Sequence, residues 1–298
     1  MEGIEHPARL TVGIVGAGRV GAVLGAALTR AGHRVTGVYA VSAASRARAE
    51  TLLPGVPVSA DAAAVVRAAE VVVLAVPDDT LRGLVEGLAS TGAWQAGQIV
   101  IHTSGRHGVG ILEPTLAHHV LPLALHPAMT FTGTAMDLDR LVDCAFGATC
   151  ADALRPMAEA LVVEMGGEPV WVAEGERTAY HCALAHGSNH LTTLVAQSME
   201  ILDRAGVEQP AHVLGPLLQA ALDNVLRMGD AALTGPVSRG DVGTVGDHLR
   251  ELDRLSPEIR RTYVALARAT ALRALDSGRL TAAAAEPLLD TLADRSPQ

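Results

Sequence analysis

The chain has 298 residues, 49% of them hydrophobic and 18% charged, with a formal net charge of −9. That length and composition suffice for a sizeable core and two domains, while the acidic balance argues against nucleic acid or an anionic membrane surface as the partner. No apolar run approaches the ~20 residues of a membrane span. The first segments, "LTVGIV" and "VGAVLGAALTRAG", read as a buried strand and a helix stopped by Gly32. Gly16, Gly18 and Gly21 sit at their joint with GxGxxG spacing, and Arg19 and Val20 lie between the second and third. In a strand–turn–helix unit the first glycine permits the tight turn, the second lets the backbone approach a pyrophosphate and the third lets helix pack on strand. The helix N-terminus then offers free N–H groups and a positive dipole end to the phosphates.

The second strand, "RVTGVYAV", leads into "SAASRARAE". A NAD site commonly places an acid about 20 residues after the glycines to bind the ribose 2′-hydroxyl, yet no acid occurs here before Glu50. Ser42, Ser45 and Arg46 stand there instead, and a guanidinium fork suits a 2′-phosphate. NADP is therefore the expected cofactor, with NAD as the alternative. For Arg46 the plainer reading is a solvated helix face, since Arg48 follows it.

Strand-like and helix-like segments go on alternating through "DAAAVVRAA", "EVVVLAVP", "DTLRGLVEGLAS", "GQIVIHTSG", "HHVLPLALHP", "CAFGATC", "ADALRPMAEALVVEMGG" and "EPVWVA". Continuous apolar strands between helices imply an α/β fold with a doubly wound parallel sheet covered on both faces. Ligands in such sheets lie over the carboxyl ends of the strands, so His102 and Ser104 after "QIVI" and His126 after "VLPLAL" form a candidate catalytic rim. From residue 174 onward only long helical patterns remain, broken at "VEQP", "MGDAALTGPVSRGD", "LSPEI" and "DSGRL". The expected organisation is a dinucleotide-binding domain over 1–173 and an all-helical substrate and dimerisation domain over 174–298. Cys144, Cys150 and Cys182 lack paired metal spacing and read as reduced thiols packed as small hydrophobes. The opening "MEGIEHPARL" has no basic-then-apolar leader pattern, so a cytoplasmic location is expected.

"VGIVGAGRVG", "VVVLAVPDD", "VIHTSG", "LHPAMTF", "YHCALAHGSN" and "LTGPVSRGD", in that order, resemble a bacterial family of Rossmann-like oxidoreductases that carry the C-terminal domain of unknown function 2520. The likeness spans nearly the whole chain. It implies a place in the wider 6-phosphogluconate dehydrogenase and β-hydroxyacid dehydrogenase superfamily, where a helical C-terminal domain closes the active site and a homodimer is usual. It also implies that Val76 and Pro77 bring backbone past the nicotinamide side of the cofactor. "HP" after a strand resembles the active-site "HP" of prephenate and arogenate dehydrogenases, although the lysine after their serine is missing and Arg106 lies nearby.

In β-hydroxyacid dehydrogenases the first long helix of the second domain carries a lysine proton donor and an asparagine one turn later. Asn189 matches the asparagine, but Ala185 occupies the lysine's place. At 100° per residue His181, Ala185 and Ser188 share a face, with Asn189 beside them and Tyr180 flanking, while His186 and His190 point nearly the opposite way. His181 is thus the expected proton donor, and Tyr180 and Ser188 are expected at the substrate. His186 and His190 have HxxxH spacing, but Gly187 stands where a zinc protease needs its glutamate and no third ligand offers itself, so no metal is expected. Arg239, in an irregular Gly/Pro loop, can anchor a substrate carboxylate or phosphate. The expected activity is hydride transfer between NADP and a small oxo or hydroxy acid. The alternatives are a dinucleotide-binding sensor or scaffold without turnover, and a deazaflavin-linked reductase.

Overall fold

The computed structural model describes residues 9–293; residues 1–8, which hold most of the N-terminal stretch read for a leader, and 294–298 lie outside the described residues. The chain forms two compact units, the first ending at Asn189 and the second beginning at His190.

In the first unit the elements run β1 (Thr11–Val15), α1 (Arg19–Arg30), β2 (Arg34–Tyr39), α2 (Ala43–Leu52), β3 (Val58–Ser59), α3 (Ala62–Arg67), β4 (Val71–Leu74), α4 (Asp78–Ser90) and β5 (Ile99–His102). Tight 3-10 turns over Val109–His118 follow, then β6 (Leu121–Pro127), α5 (Met136–Arg140), β7 (Ala145–Thr149), α6 (Arg155–Glu164), β8 (Glu168–Trp171) and α7 (Arg177–Leu184), which ends in a π turn, Ala185–Asn189. The eight strands form one sheet in the order β3-β2-β1-β4-β5-β6-β7-β8.

Successive side chains of a strand point to opposite faces, and the central strands use both. Val12, Ile14, Val71, Val73, Ile99 and Ile101 enter a core under α1 and α6. Val15, Val72, Leu74 and Val100 enter a second core with Leu81, Val85 and Leu88 of α4 and Ile111 and Leu112 of the 3-10 segment. Helices on both faces and the doubly wound strand order agree with the reading of the sequence, but the sheet is not parallel throughout. β1 to β6 run parallel, whereas β7 pairs antiparallel with β6 and β8 parallel with β7. Between β6 and β7 lies only the five-residue α5, short of the helix a parallel crossover requires; the ten-residue α6 makes that crossover for β8.

The first unit extends beyond the residue 173 at which the sequence pattern changes, because α7 is tied to the sheet by its first residue. Arg177 is buried, 1% exposed, and donates to three carbonyl oxygens, those of His107 (3.0 Å), Gly147 (2.9 Å) and Ser104 (2.5 Å).

In the second unit α8 (His190–Arg204), α9 (Pro210–Met228), α10 (Val242–Leu255), α11 (Pro257–Asp276) and α12 (Ala282–Thr291) are separated at the breaks read from the sequence. Ser256 caps α11 by accepting from the Ile259 N–H, with Pro257 in the first turn. Val245, Leu249, Ala267, Ala271, Ala274 and Leu288 form its core. α8 and α9 bury no residue completely, and Leu217 and Leu226 of α9 are 63% and 78% exposed. Among the described residues no helix is long and apolar enough to cross a membrane.

Candidate active site

The three glycines of the β1–α1 turn differ in what surrounds them. Gly16 has φ +101, a conformation that L side chains rarely adopt, and a Cβ there would lie 2.6 Å from the Ala75 carbonyl oxygen. A Cβ on Gly21 would run into the Gly16 carbonyl oxygen and lie 2.8 Å from the Ala75 methyl. Gly18 is open: a Cβ would meet only the Ala75 oxygen, at 3.9 Å. Gly18 also caps α1 without any side-chain hydrogen bond to the helix end, so the N–H groups of the first turn keep their donors for a ligand. Val20 packs against the core and Arg19 faces solvent. Val76, on the β4 side, lies 3.1 Å from where a Gly16 Cβ would stand, and Pro77 precedes the first turn of α4.

Beyond β2, Ser42 caps α2: its Oγ accepts from the Ser45 N–H at 3.1 Å and donates to Ser45 Oγ at 2.9 Å. Arg46 is exposed and its Nε donates to the Ala40 carbonyl at 3.2 Å, which pins the guanidinium at the carboxyl end of β2. Arg48, read from the sequence as part of a solvated helix face, instead reaches back to the glycine turn and donates from Nη1 to Ala17 O at 3.1 Å. Its signal was present as a second arginine two residues after Arg46, but only the packing of α2 on α1 directs it inward.

The second cluster stands at the carboxyl end of β6. A pocket of about 440 Å³ is bordered by His126, Ala128, Met129, Thr130, His181, Leu184, Ala185, Ser188 and Asn189. The expected helix face is therefore the face that borders it. The π turn assists, since its i→i+5 bonding takes one more residue per turn and swings Asn189 back toward the side of His181. His126 Nδ1 lies 3.0 Å from Tyr180 Oη, and its ring stands edge-on to His181 with centroids 6.0 Å apart. Burial and then the Arg177 and His181 charges lower the His126 pKa to about 4, with Asp78 opposing. Gly105 makes this crowding possible, because a Cβ there would lie 3.0 Å from His126 Nε2 and 2.5 Å from His181 Cδ2.

Other expected residues stand elsewhere. His102 is fully buried; its Nε2 lies 2.9 Å from the Gly108 carbonyl and its Nδ1 accepts from the Ser104 N–H at 3.2 Å. With both nitrogens engaged and burial lowering its pKa to about 4, it is a neutral structural residue rather than part of a catalytic rim. Ser104 is buried too, its Oγ accepting from the His107 N–H and its carbonyl from Arg177. Tyr180 does not border the pocket as a substrate contact: its hydroxyl is engaged by His126 and its ring packs where a Gly147 Cβ would be. Arg239 lies exposed in the second unit, in a 3-10 turn. Two supports were not foreseen, Arg177 and Glu174, whose carboxylate accepts from the Val109 and Gly110 N–H groups at 2.9 and 3.0 Å and so caps the 3-10 segment. Nothing local in the sequence marks either one.

The loop after β6 joins the two clusters. Asp137 holds it by accepting from the Thr132 and Gly133 N–H groups at 2.8 and 2.7 Å. At one end a Gly133 Cβ would lie 2.6 Å from Arg48 Nε and 3.0 Å from Arg19 Cγ; at the other, Thr130 Oγ1 is 3.3 Å from Ser188 Oγ.

A doubly wound sheet with this glycine turn at its first strand–helix joint places the protein among the Rossmann-like folds. Residues 2–127 match the Rossmann-like domain family and residues 144–270 match the domain of unknown function DUF2520. The chain is thus a Rossmann-like protein carrying a C-terminal DUF2520 domain, the pairing its motifs resemble. Among solved structures, a candidate NADP oxidoreductase from Bacteroides fragilis aligns with TM-score 0.71 at 22% identity, over 88% of this chain and 98% of its own. An imine reductase from Myxococcus stipitatus in complex with NADP+ aligns with TM-score 0.61 at 18% identity, over 94% and 99% of the two chains. A pyrroline carboxylate reductase from Plasmodium falciparum with NADP bound aligns with TM-score 0.58 at 13% identity, over 90% and 98%. At such identities the likeness establishes the fold. No curated protein matches the chain.

Proposed function

We propose that the chain is an NADP-dependent reductase, with NAD the lesser cofactor, acting on a small molecule at the His126–His181–Asn189 pocket. The observation that carries this reading is the loop after β6, which touches Arg19 and Arg48 beside the glycine turn and Ser188 beside the pocket. A dinucleotide laid along the carboxyl ends of the parallel strands would run between those two points. The chain fits that group: Gly18 leaves room for a pyrophosphate, the first turn of α1 is uncapped by side chains, and Arg46 stands at the end of β2 for a 2′-phosphate. NAD(P)-linked relatives in fold, the imine and pyrroline carboxylate reductases, support it.

When bound, the reduced nicotinamide supplies a hydride. The chain must then orient an acceptor and provide for the electrons displaced onto its oxygen or nitrogen. His181, half-buried on the pocket wall, is placed to give the proton, and Asn189 to orient substrate or nicotinamide. The sequence points to a small oxo or hydroxy acid. Among the described residues no arginine or lysine borders the pocket, so it suits the C=O or C=N group itself better than a carboxylate. The exposed apolar residues of α8 and α9 suit a second copy of this chain, so a homodimer is proposed and light scattering reads its mass; the free thiols Cys144, Cys150 and Cys182 suit a reducing cytoplasm.

The test follows NADPH oxidation at 340 nm against a panel of small oxo acids, ketones and cyclic imines. Turnover is expected with at least one class, with NADPH preferred over NADH, and His181→Gln should lower kcat by on the order of 10² while cofactor affinity holds. Tight NADPH binding with no turnover across the panel would leave a sensor in place of an enzyme.

A further inference from the structure

We infer that Tyr180 holds His126 as the Nε2–H tautomer and that His126 is the hydrogen-bond donor to the substrate's reacting oxygen or nitrogen, the proton itself coming from a different group. The inference rests on the reductase reading for its substrate and on geometry for its tautomer.

The tautomer follows from what surrounds the Tyr180 hydroxyl. A phenol O–H is a stronger donor than an imidazole N–H and an imidazole nitrogen a stronger acceptor than a phenol oxygen, and the Arg177 guanidinium beneath the Tyr180 ring makes the phenol a better donor still. The phenol proton is therefore directed to His126 Nδ1 at 3.0 Å. A nitrogen that accepts carries no proton, so the neutral ring bears its hydrogen on Nε2. That edge lies on the side of Gly105 and His181, and both histidines border the pocket.

The surroundings also keep the ring neutral. Arg177 lies under Tyr180, its guanidinium carbon 5.5 Å from the ring centroid, and its hydrogen bonds go to backbone carbonyls. It therefore presents a buried positive charge behind the dyad, and a second cation at His126 is disfavoured. The ionisable groups that act on His126 are Arg177, His181 and Asp78, of which Asp78 alone favours the charged form; Tyr180 completes the set of titratable neighbours. A neutral imidazole cannot surrender its remaining proton near neutral pH, but it can polarise a carbonyl or imine through a hydrogen bond. The division of labour is then balanced: as the carbon gains a hydride and the C=O or C=N π bond opens, the heteroatom accepts a hydrogen bond from His126 Nε2–H and takes its proton from His181, which solvent reprotonates. Tyr180 and Arg177 are positioning residues, and His126 touches the reacting atom.

Long-range 15N–1H correlation spectra of the full chain, labelled at histidine, read the tautomer without substrate. His126 is expected as Nε2–H from pH 5 to 8, and Tyr180→Phe, which keeps the ring on Gly147, is expected to leave a mixture of tautomers. A dominant Nδ1–H form, or a His126 that titrates near its ordinary value of 6.5, overturns the inference even if the protein proves a reductase. In turnover, Tyr180→Phe should cost kcat about tenfold with KM nearly unchanged. His126→Gln, whose amide N–H can replace the Nε2–H, should keep roughly ten times the activity of His126→Ala and preserve the alkaline limb of the pH profile, where the proton donor has lost its proton. Loss of that limb in His126→Gln would make His126 the proton donor and overturn the assignment. Expected spectra with no turnover on any substrate would count against the reductase reading while the tautomer stands.

Discussion

The two ends of the candidate site work by opposite means. At the β1–α1 turn the useful feature is missing side chains: Gly18 leaves open space and α1 an uncapped end. At the pocket beyond β6 the useful feature is interlocked side chains, with Arg177 beneath Tyr180, Tyr180 on His126 and His126 against His181. An open cradle needs only local backbone geometry. An interlocked one needs residues from β5, β6, β7 and α7 brought together, and a buried cation to hold them.

The largest effect should come from the cradle, and it separates space from packing within one motif. Gly18→Val is expected to abolish dinucleotide binding by calorimetry while leaving the melting temperature nearly unchanged, because the added atoms fill ligand space. Gly21→Val should melt the first unit itself, since its Cβ runs into the Gly16 carbonyl and overpacking costs roughly 1–3 kcal/mol or more. If the two variants lost stability equally, the turn would be a packing device alone.

The interlocked end should answer to pH. His102 and His126 have folded pKa values lowered to about 4, by burial first in each case, from an ordinary 6.5. Between those values the unfolded chain takes up protons that the folded chain refuses, so their contribution is complete above about pH 6.5 and is lost as pH falls toward 4, on the order of a few kcal/mol in all. Chemical denaturation from pH 7.5 to 4.5 should show stability falling with pH, with a shallower slope in His102→Gln; an unchanged slope in that variant would remove His102 from the account.

The smallest effect belongs to the 2′-phosphate. Arg46→Ala should weaken NADPH about tenfold and leave NADH nearly untouched. Equal losses for both cofactors would show that Arg46 serves α2, through its bond to Ala40, instead of the phosphate.

Much of this was legible in the residues themselves, because it depends on neighbours along the chain. Glycine spacing, β-branched apolar runs and the Ser256–Pro257 break set the doubly wound order and the helical second half, since strand and helix periodicities are local properties. The face carrying His181, Ala185, Ser188 and Asn189 was readable for the same reason. Only tertiary structure decided the rest. His126 and Tyr180 are 54 residues apart, and Arg177 reaches carbonyls 30, 70 and 73 residues away; no pattern in a single chain ties such positions. His102 and His126 look alike at the ends of neighbouring strands. Burial against Gly108 and Ser104 engaged both nitrogens of one, while the other borders a pocket and is the one proposed for chemistry, because what a histidine can do depends on which of its nitrogens the fold leaves unclaimed.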